Sequence, residues 1–303
     1  QLNAEGVEVT FTTYETNVVR LGIAEDGSCA ELIDKRTGQD YLDVRHPLMS
    51  LTCDGEIHHA TGAGADGDDL RIDFAPLAIT ATLHIRAAED WLIFELVGLS
   101  DETDVDEVTF VDLPVAITAA ERHLSPLAGC VRNGHLALAC QTLDLETNSG
   151  VQQQEDATTL WARCYARFGL RGTRAAVIGC PADRFLDVVE ALEIAEDLPH
   201  PTLDGIWARR SPASRSNYFF IDLTEANVDE VIDIARRLGF EYILVYAPHW
   251  AVSRGTYEIN PENYPNGLDG FRAVADRIHA AGLKVGIHCL TGFVAKADPL
   301  VTP

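Results

Sequence analysis

The chain has 303 residues, 47% of them hydrophobic and 23% charged, a balance that fits a globular protein long enough for two domains. Its formal net charge of −24 argues against nucleic acid as a partner, because that affinity comes from Lys and Arg neutralising phosphates, and it disfavours anionic membranes. No run of about 18 apolar residues marks a membrane span. The first residue is Gln1 rather than Met, and a leader removed ahead of it would favour a secreted or periplasmic protein. Lysine occurs only at positions 35, 284 and 296. An acidic, lysine-poor surface fits a salt-rich setting in which carboxylate repulsion is screened, and equally a GC-rich genome.

Residues 1 to about 180 read as strands. "VEVTFTTYETNVVRLGIAEDGSCAELIDKRTGQDYL" alternates short β-rich runs with turn signals at Asp26-Gly27 and Thr37-Gly38. "IHHATGAGADGDD" (57–69) offers two His and several Asp, but its spacing matches neither a zinc motif nor a calcium loop, so it reads as a solvated hairpin tip and no metal site is expected. In "LAITATLHIRAAEDWLIFELVGL", Ile79, Ala81, Leu83 and Ile85 alternate, Glu89-Asp90 turns, and Trp91, Ile93, Glu95 and Val97 return. "EVTFVDLPVAI", "HLALACQTL", "TTLWARCYARFG" and "TRAAVIGC" continue the alternation, which points to a sandwich. Seven cysteines are scattered without a C-x-x-C pair, so buried free thiols are expected rather than a zinc or redox motif, with one disulfide left open.

The period changes near Pro181. Phe185, Val188, Val189, Leu192 and Ala195 fall at helical spacing, and Pro199, Pro201 and Pro212 mark a connector over 181–215. From Ser216 the order becomes strand, helix, strand, helix, strand. "NYFFIDL" is the first strand. Thr224 is the expected N-cap of a helix whose apolar face is Val228, Val231, Ile232, Ala235 and Leu238, ended by Gly239. "FEYILVYA" is the second strand. A second helix presents Leu268, Phe271, Val274, Ala275 and Ile278, and "LKVGIHC" is the third strand, apolar on both faces and expected inside a parallel sheet. No P-loop, dinucleotide fingerprint or Ser-His-Asp pattern appears, and no cofactor is expected.

The stretch 217–298 resembles the first third of the catalytic barrel of melibiase-type α-galactosidases and their relatives in the retaining α-glycosidase clan. The resemblance rests on "YFFIDLTEANVDEVIDIARRLGFEYILV", on Gly255-Thr256-Tyr257, on Tyr264-Pro265-Asn266-Gly267-Leu268 and on Gly282-Leu283-Lys284-Val285-Gly286-Ile287. It implies a β-rich N-terminal supersandwich of the galactose-mutarotase-like kind over 1–180. An α/β region over 216–303 follows, supplying the first three βα units of an incomplete TIM barrel. It also implies a carbohydrate substrate, catalytic carboxylates on later barrel strands, and a partner in the remaining barrel polypeptide, from the same gene or a second chain. The family ends its second strand with Asp-Asp-Gly-Trp; here the residues are Ala247-Pro248-His249-Trp250. Its Trp-Phe-Glu-Pro after the third strand is His288-Cys289-Leu290-Thr291.

Substrate-binding candidates follow from strand ends, where barrel enzymes carry their sites. Asp222 is either a hydroxyl acceptor or a helix-entry residue ahead of Thr224. Trp250 either stacks on a sugar ring or packs under a loop. His249 and His288 end the second and third strands, and Tyr257 stands where the family has an aromatic. Three readings compete: the N-terminal portion of a glycoside hydrolase, a non-catalytic carbohydrate-binding or assembly module, or an intact small enzyme with an open α/β sheet.

Overall fold

Apolar alternation turns into antiparallel pairing throughout the first part of the chain. The computed structural model describes residues 11–117, 129–153, 158–290 and 292–301, and the chain divides into two units, Gln1–His200 and Pro201–Pro303.

In the first unit the hairpin expected at Glu89-Asp90 forms: Ile79–Ala87 pairs with Trp91–Leu99, with Ile85 opposite Phe94. It sits inside a seven-stranded sheet, flanked by Asp69–Phe74 and Thr173–Pro181. A five-stranded sheet runs in the order Thr147–Gln153, Thr158–Tyr165, Glu107–Val115, Ser50–Cys53 and Glu56–His59. A third sheet is built on Phe11–Glu15, Val19–Ala24 and Ser28–Asp34. Leu21, Leu51, Phe94, Phe110, Leu138, Leu160 and Val177, drawn from all three sheets, form one buried cluster. That shared core is what a layered sandwich requires of alternating strands. The alternation is strict in Thr158–Tyr165, where Thr158, Leu160, Ala162 and Cys164 are buried while Thr159, Trp161, Arg163 and Tyr165 are partly exposed. All seven cysteines are free: Cys29, Cys130, Cys140, Cys164 and Cys180 are buried and Cys289 is exposed. The 57–69 stretch folds into hairpin strands, and no group of three or more metal-ligating side chains occurs among the described residues. Helix α1, Phe185–Ala195, buries Phe185, Val188, Val189 and Leu192, while Ala195, assigned to the same face by spacing, is exposed in the last turn.

The second unit holds three parallel strands, Tyr218–Ile221, Tyr242–Val245 and Lys284–Ile287. Helices α2 (Val228–Leu238) and α4 (Gly267–Ala280) connect them, with a one-turn helix α3 (Ala247–Trp250) after the second strand. Val228, Val231 and Ala235 of α2 and Val274 and Ile278 of α4 join Ile243, Val245 and Leu283 in a common core. Leu238 and Leu268, assigned to the same faces by periodicity, lie in a last and a first helical turn and are more than half exposed. Gly239 closes α2 in the left-handed region at φ 75°, where a residue without Cβ pays no steric cost.

Two local details differ from the sequence reading. Helix α2 starts at Val228, not beside Thr224. Thr224 and Asn227 instead form a reciprocal turn: the Asn227 N–H donates to Thr224 Oγ1 at 3.2 Å and the Thr224 N–H donates to Asn227 Oδ1 at 2.8 Å. Short polar side chains of this kind compete with the helix for its own backbone groups. The third strand, expected between two neighbours, lies at a sheet edge. The Lys284 and His288 amides donate to Glu241 and Val245 carbonyls, at 3.0 and 2.9 Å. By the alternation of a parallel ladder, the Val285 and Ile287 amides then point to the free side.

Candidate functional site

Register fixes which side chains share the sheet face away from the helices. Tyr218, Tyr242 and Lys284 stand level, as do Phe220, Leu244 and Gly286. One step further, at the carboxyl ends, come Asp222, Tyr246 and His288. Phe219, Ile221, Ile243 and Val245 take the opposite parity and pack into the helix-side core.

At the carboxyl end the groups converge. Helix α3, with Pro248 in its first turn, turns His249 so that Nε2 lies 2.9 Å from Asp222 Oδ1, across from the first strand. Tyr246 stacks on His288 with ring centroids 5.8 Å apart and planes at 14°, and Phe220 meets both rings edge-on at 5.2 Å. The Nδ1 atoms of His249 and His288 are buried without a hydrogen-bond partner among the described residues. The exposed Asp222 carboxylate beside the exposed Tyr246 and Phe220 rings makes a rim able to accept from ligand hydroxyls and to cover C–H faces.

Trp250 and Tyr257 lie beneath this rim rather than on it. Trp250 is 5% exposed, stacks on Tyr257 at 5.3 Å with planes at 8°, and donates its Nε1–H to the His288 carbonyl at 3.0 Å. The Leu290 amide donates to the Tyr257 hydroxyl at 2.8 Å. The pair therefore holds the segment after the third strand against the segment after the second. Tyr246 and Phe220 were not singled out from the sequence. Their signal was parity, since both alternate with core residues and so face away from the helices.

A second anchor lies further along. The Asp298 carboxylate accepts from Ser253 Oγ at 2.6 Å and from the Thr256 and Leu300 amides at 3.0 Å each. These hydrogen bonds, led by that from Ser253, hold its pKa down at about 2. Gly255 faces the carboxylate at φ 146°, and a Cβ there would overlap it. A depressed folded-state pKa contributes stability that is present above the ordinary carboxylate value and is lost as pH falls through the folded value. The urea midpoint of the second unit is thus expected to fall between pH 5 and pH 2, and Asp298→Asn is expected to flatten that decline. An unchanged pH profile in Asp298→Asn would remove Asp298 as the cause.

The chain is β-rich with few helices, as is the N-terminal region of the glycosidases that it superposes on. In sequence and fold the chain is similar to α-galactosidases and α-N-acetylgalactosaminidases. An α-galactosidase of Oryza sativa subsp. japonica is 30% identical over 84 residues, covering 25% of this chain and 19% of that protein. The α-N-acetylgalactosaminidase NagBb of Bifidobacterium bifidum, in its GalNAc complex, superposes with a TM-score of 0.53 at 12% identity over 92% of this chain and 58% of its own. Its ligand-free form gives 0.51 at 13% identity over 91% and 59%. The likeness to NagBb is one of fold. The chain spans under three fifths of the NagBb length and about a fifth of the rice protein. No family model matches the chain.

Proposed function

We propose that the chain is the N-terminal portion of an α-glycoside hydrolase acting on oligo- or polysaccharide. Its three parallel strands open a (β/α) barrel whose remaining strands, bearing the nucleophile and acid carboxylates, come from further polypeptide of the same gene or a second chain. The observation that carries this reading is the convergence of Asp222, His249 and His288 at the carboxyl ends of three successive parallel strands, the end at which barrels build their sites. Three strands cannot close, because closure ties strand number, tilt and stagger together. The third strand also borders an apolar cavity of about 180 Å³ lined by Val245, Phe271, Val274, Val285 and Ile287, which a further strand and helix would cover.

In this reading Asp222 accepts from sugar hydroxyls and His249, through its Nε2 contact, holds that carboxylate in place. The first strand thereby returns a carboxylate to the rim whose second-strand motif is Ala247-Pro248-His249-Trp250. Tyr246 and Phe220 offer the apolar surface for ring C–H groups, and Trp250 with Tyr257 holds the rim in place. The names of the similar proteins point to a terminal α-linked galactose-type sugar. In a polypeptide that carries the completing strands, His249→Ala is expected to lower kcat/KM on aryl α-galactosides or aryl α-N-acetylgalactosaminides by at least about tenfold, the equivalent of one lost polar contact of roughly 1.4 kcal/mol. Full activity in a folded His249→Ala protein would take the rim out of the binding site.

A further inference from the structure

The side of the five-stranded sheet that faces away from the core is not a plain solvated surface. Thr159, Trp161 and Arg163 alternate with the buried residues of their strand. Trp161 stands opposite Asp112 on one neighbour and Gly150 on the other, and Thr159 stands opposite Gln152. With His46 these side chains line a cavity of about 260 Å³.

The indole is fixed on two sides. Gly150 leaves room for it, since a Cβ there would come within 3.2 Å of Cζ2. The Arg163 guanidinium carbon lies 4.3 Å from the ring centroid, and Arg163 Nη1 is held 3.3 Å from Glu107. Asp112 is likewise oriented, with His46 Nε2 3.0 Å from its Oδ2. Gln152 and Thr159 make no side-chain hydrogen bond among the described residues. A rigid aromatic, an oriented carboxylate, an amide and a hydroxyl thus border one small cavity. Polar donors and acceptors beside a fixed ring match the alternating hydroxyls and C–H faces of a pyranose. Arg163 is paired with Glu107 and His46 with Asp112, so among the described residues no unpaired cation faces the cavity to select a phosphate or sulfate, and the polar lining opposes a purely apolar ligand. The volume is just below the roughly 300–1,000 Å³ of pockets for drug-sized ligands, so it suits a single ring.

We propose that this cavity, bordered by His46, Asp112, Gln152 and Trp161 in the first unit, binds one neutral pyranose residue of a glycan. The inference goes beyond the strand-end reading and stands without it. Titration of the full chain with methyl α-galactoside, methyl α-glucoside and N-acetylgalactosamine, followed by ligand-observed NMR, tests it. Saturable binding of at least one sugar is expected, weakened at least about tenfold by Trp161→Ala and by Asp112→Asn. Gln152→Ala, a fully surface change, is expected to weaken it as well, and keeps the test decisive if Trp161→Ala fails to fold. No saturable response to any of the three sugars would overturn the proposal. So would binding that persists in Asp112→Asn and Gln152→Ala; if that binding were lost in His249→Ala, it would belong to the strand-end rim.

Discussion

Trp250→Ala is expected to destabilise the second unit by about 3–5 kcal/mol, the range for removing a buried Trp or Phe from a packed core. The indole is almost wholly buried against Tyr257 and Phe271 and supplies the donor for the His288 carbonyl. Its loss opens a cavity and releases the segment that carries His288. In a unit of this size each kcal/mol corresponds to roughly 4–8 °C in Tm, so the variant should melt at least about 10 °C lower. Trp250→Phe, which keeps most of the volume and loses only the donor, should cost far less. Calorimetry on the two variants checks this. Equal and small effects would mean that the ring does not carry the packing.

Tyr264→Ala is expected to be comparably severe, again about 3–5 kcal/mol. Tyr264 is fully buried, meets Phe271 edge-on at 4.9 Å, and donates its hydroxyl to the Leu223 carbonyl at 2.6 Å. Leu223 follows Asp222 directly, so this hydrogen bond positions the turn that presents the carboxylate. Burial raises the Tyr264 phenol well above its ordinary value, so it stays a donor across any working pH. Tyr264→Phe separates the two contributions: the ring remains, the Leu223 carbonyl loses its partner, and the expected cost falls to about 1–3 kcal/mol. Urea unfolding of both variants reads the difference. A Phe variant as damaged as the Ala variant would place the whole effect in the hydrogen bond.

Much of the fold was legible because it is local. The alternation through Ile79–Ile85 and the acidic turn gave the hairpin, but not the face of its return: Leu92, Phe94 and Leu96, rather than Trp91, Ile93, Glu95 and Val97, stand opposite Ala87, Ile85 and Leu83 and join the core. The helical faces and Gly239 gave the strand–helix order of the second unit. The grouping of strands into sheets was not legible. Glu107–Val115 pairs with Ser50–Cys53, and Thr173–Pro181 inserts beside Trp91–Leu99, contacts between distant segments that alternation does not encode. The rim was legible only as far as strand parity held. Counting by two from the second strand places Tyr246 on the open face, but α3 changes the period from 2 to 3.6 just after it. That single turn sends His249 out to Asp222 and Trp250 into the core, a distinction the string "APHW" does not show. The outer pocket of the first unit had a visible trace in "TTLWARCYARFG", where Trp161 and Arg163 fall on one face. Its other members come from separate strands and only the pairing unites them.

The account turns on whether the Lys284–Ile287 strand acquires a parallel neighbour. Hydrogen exchange of the Val285 and Ile287 amides measures this directly, because the structure directs both to the free side of the sheet. In the 303-residue chain these two amides should exchange much faster than those of Lys284 and Gly286. In a polypeptide that continues into further βα units they should become as protected as Gly286. Fast exchange at Val285 and Ile287 in that longer, folded polypeptide would contradict the barrel reading, and with it the proposal that the strand-end rim is part of a glycosidase site.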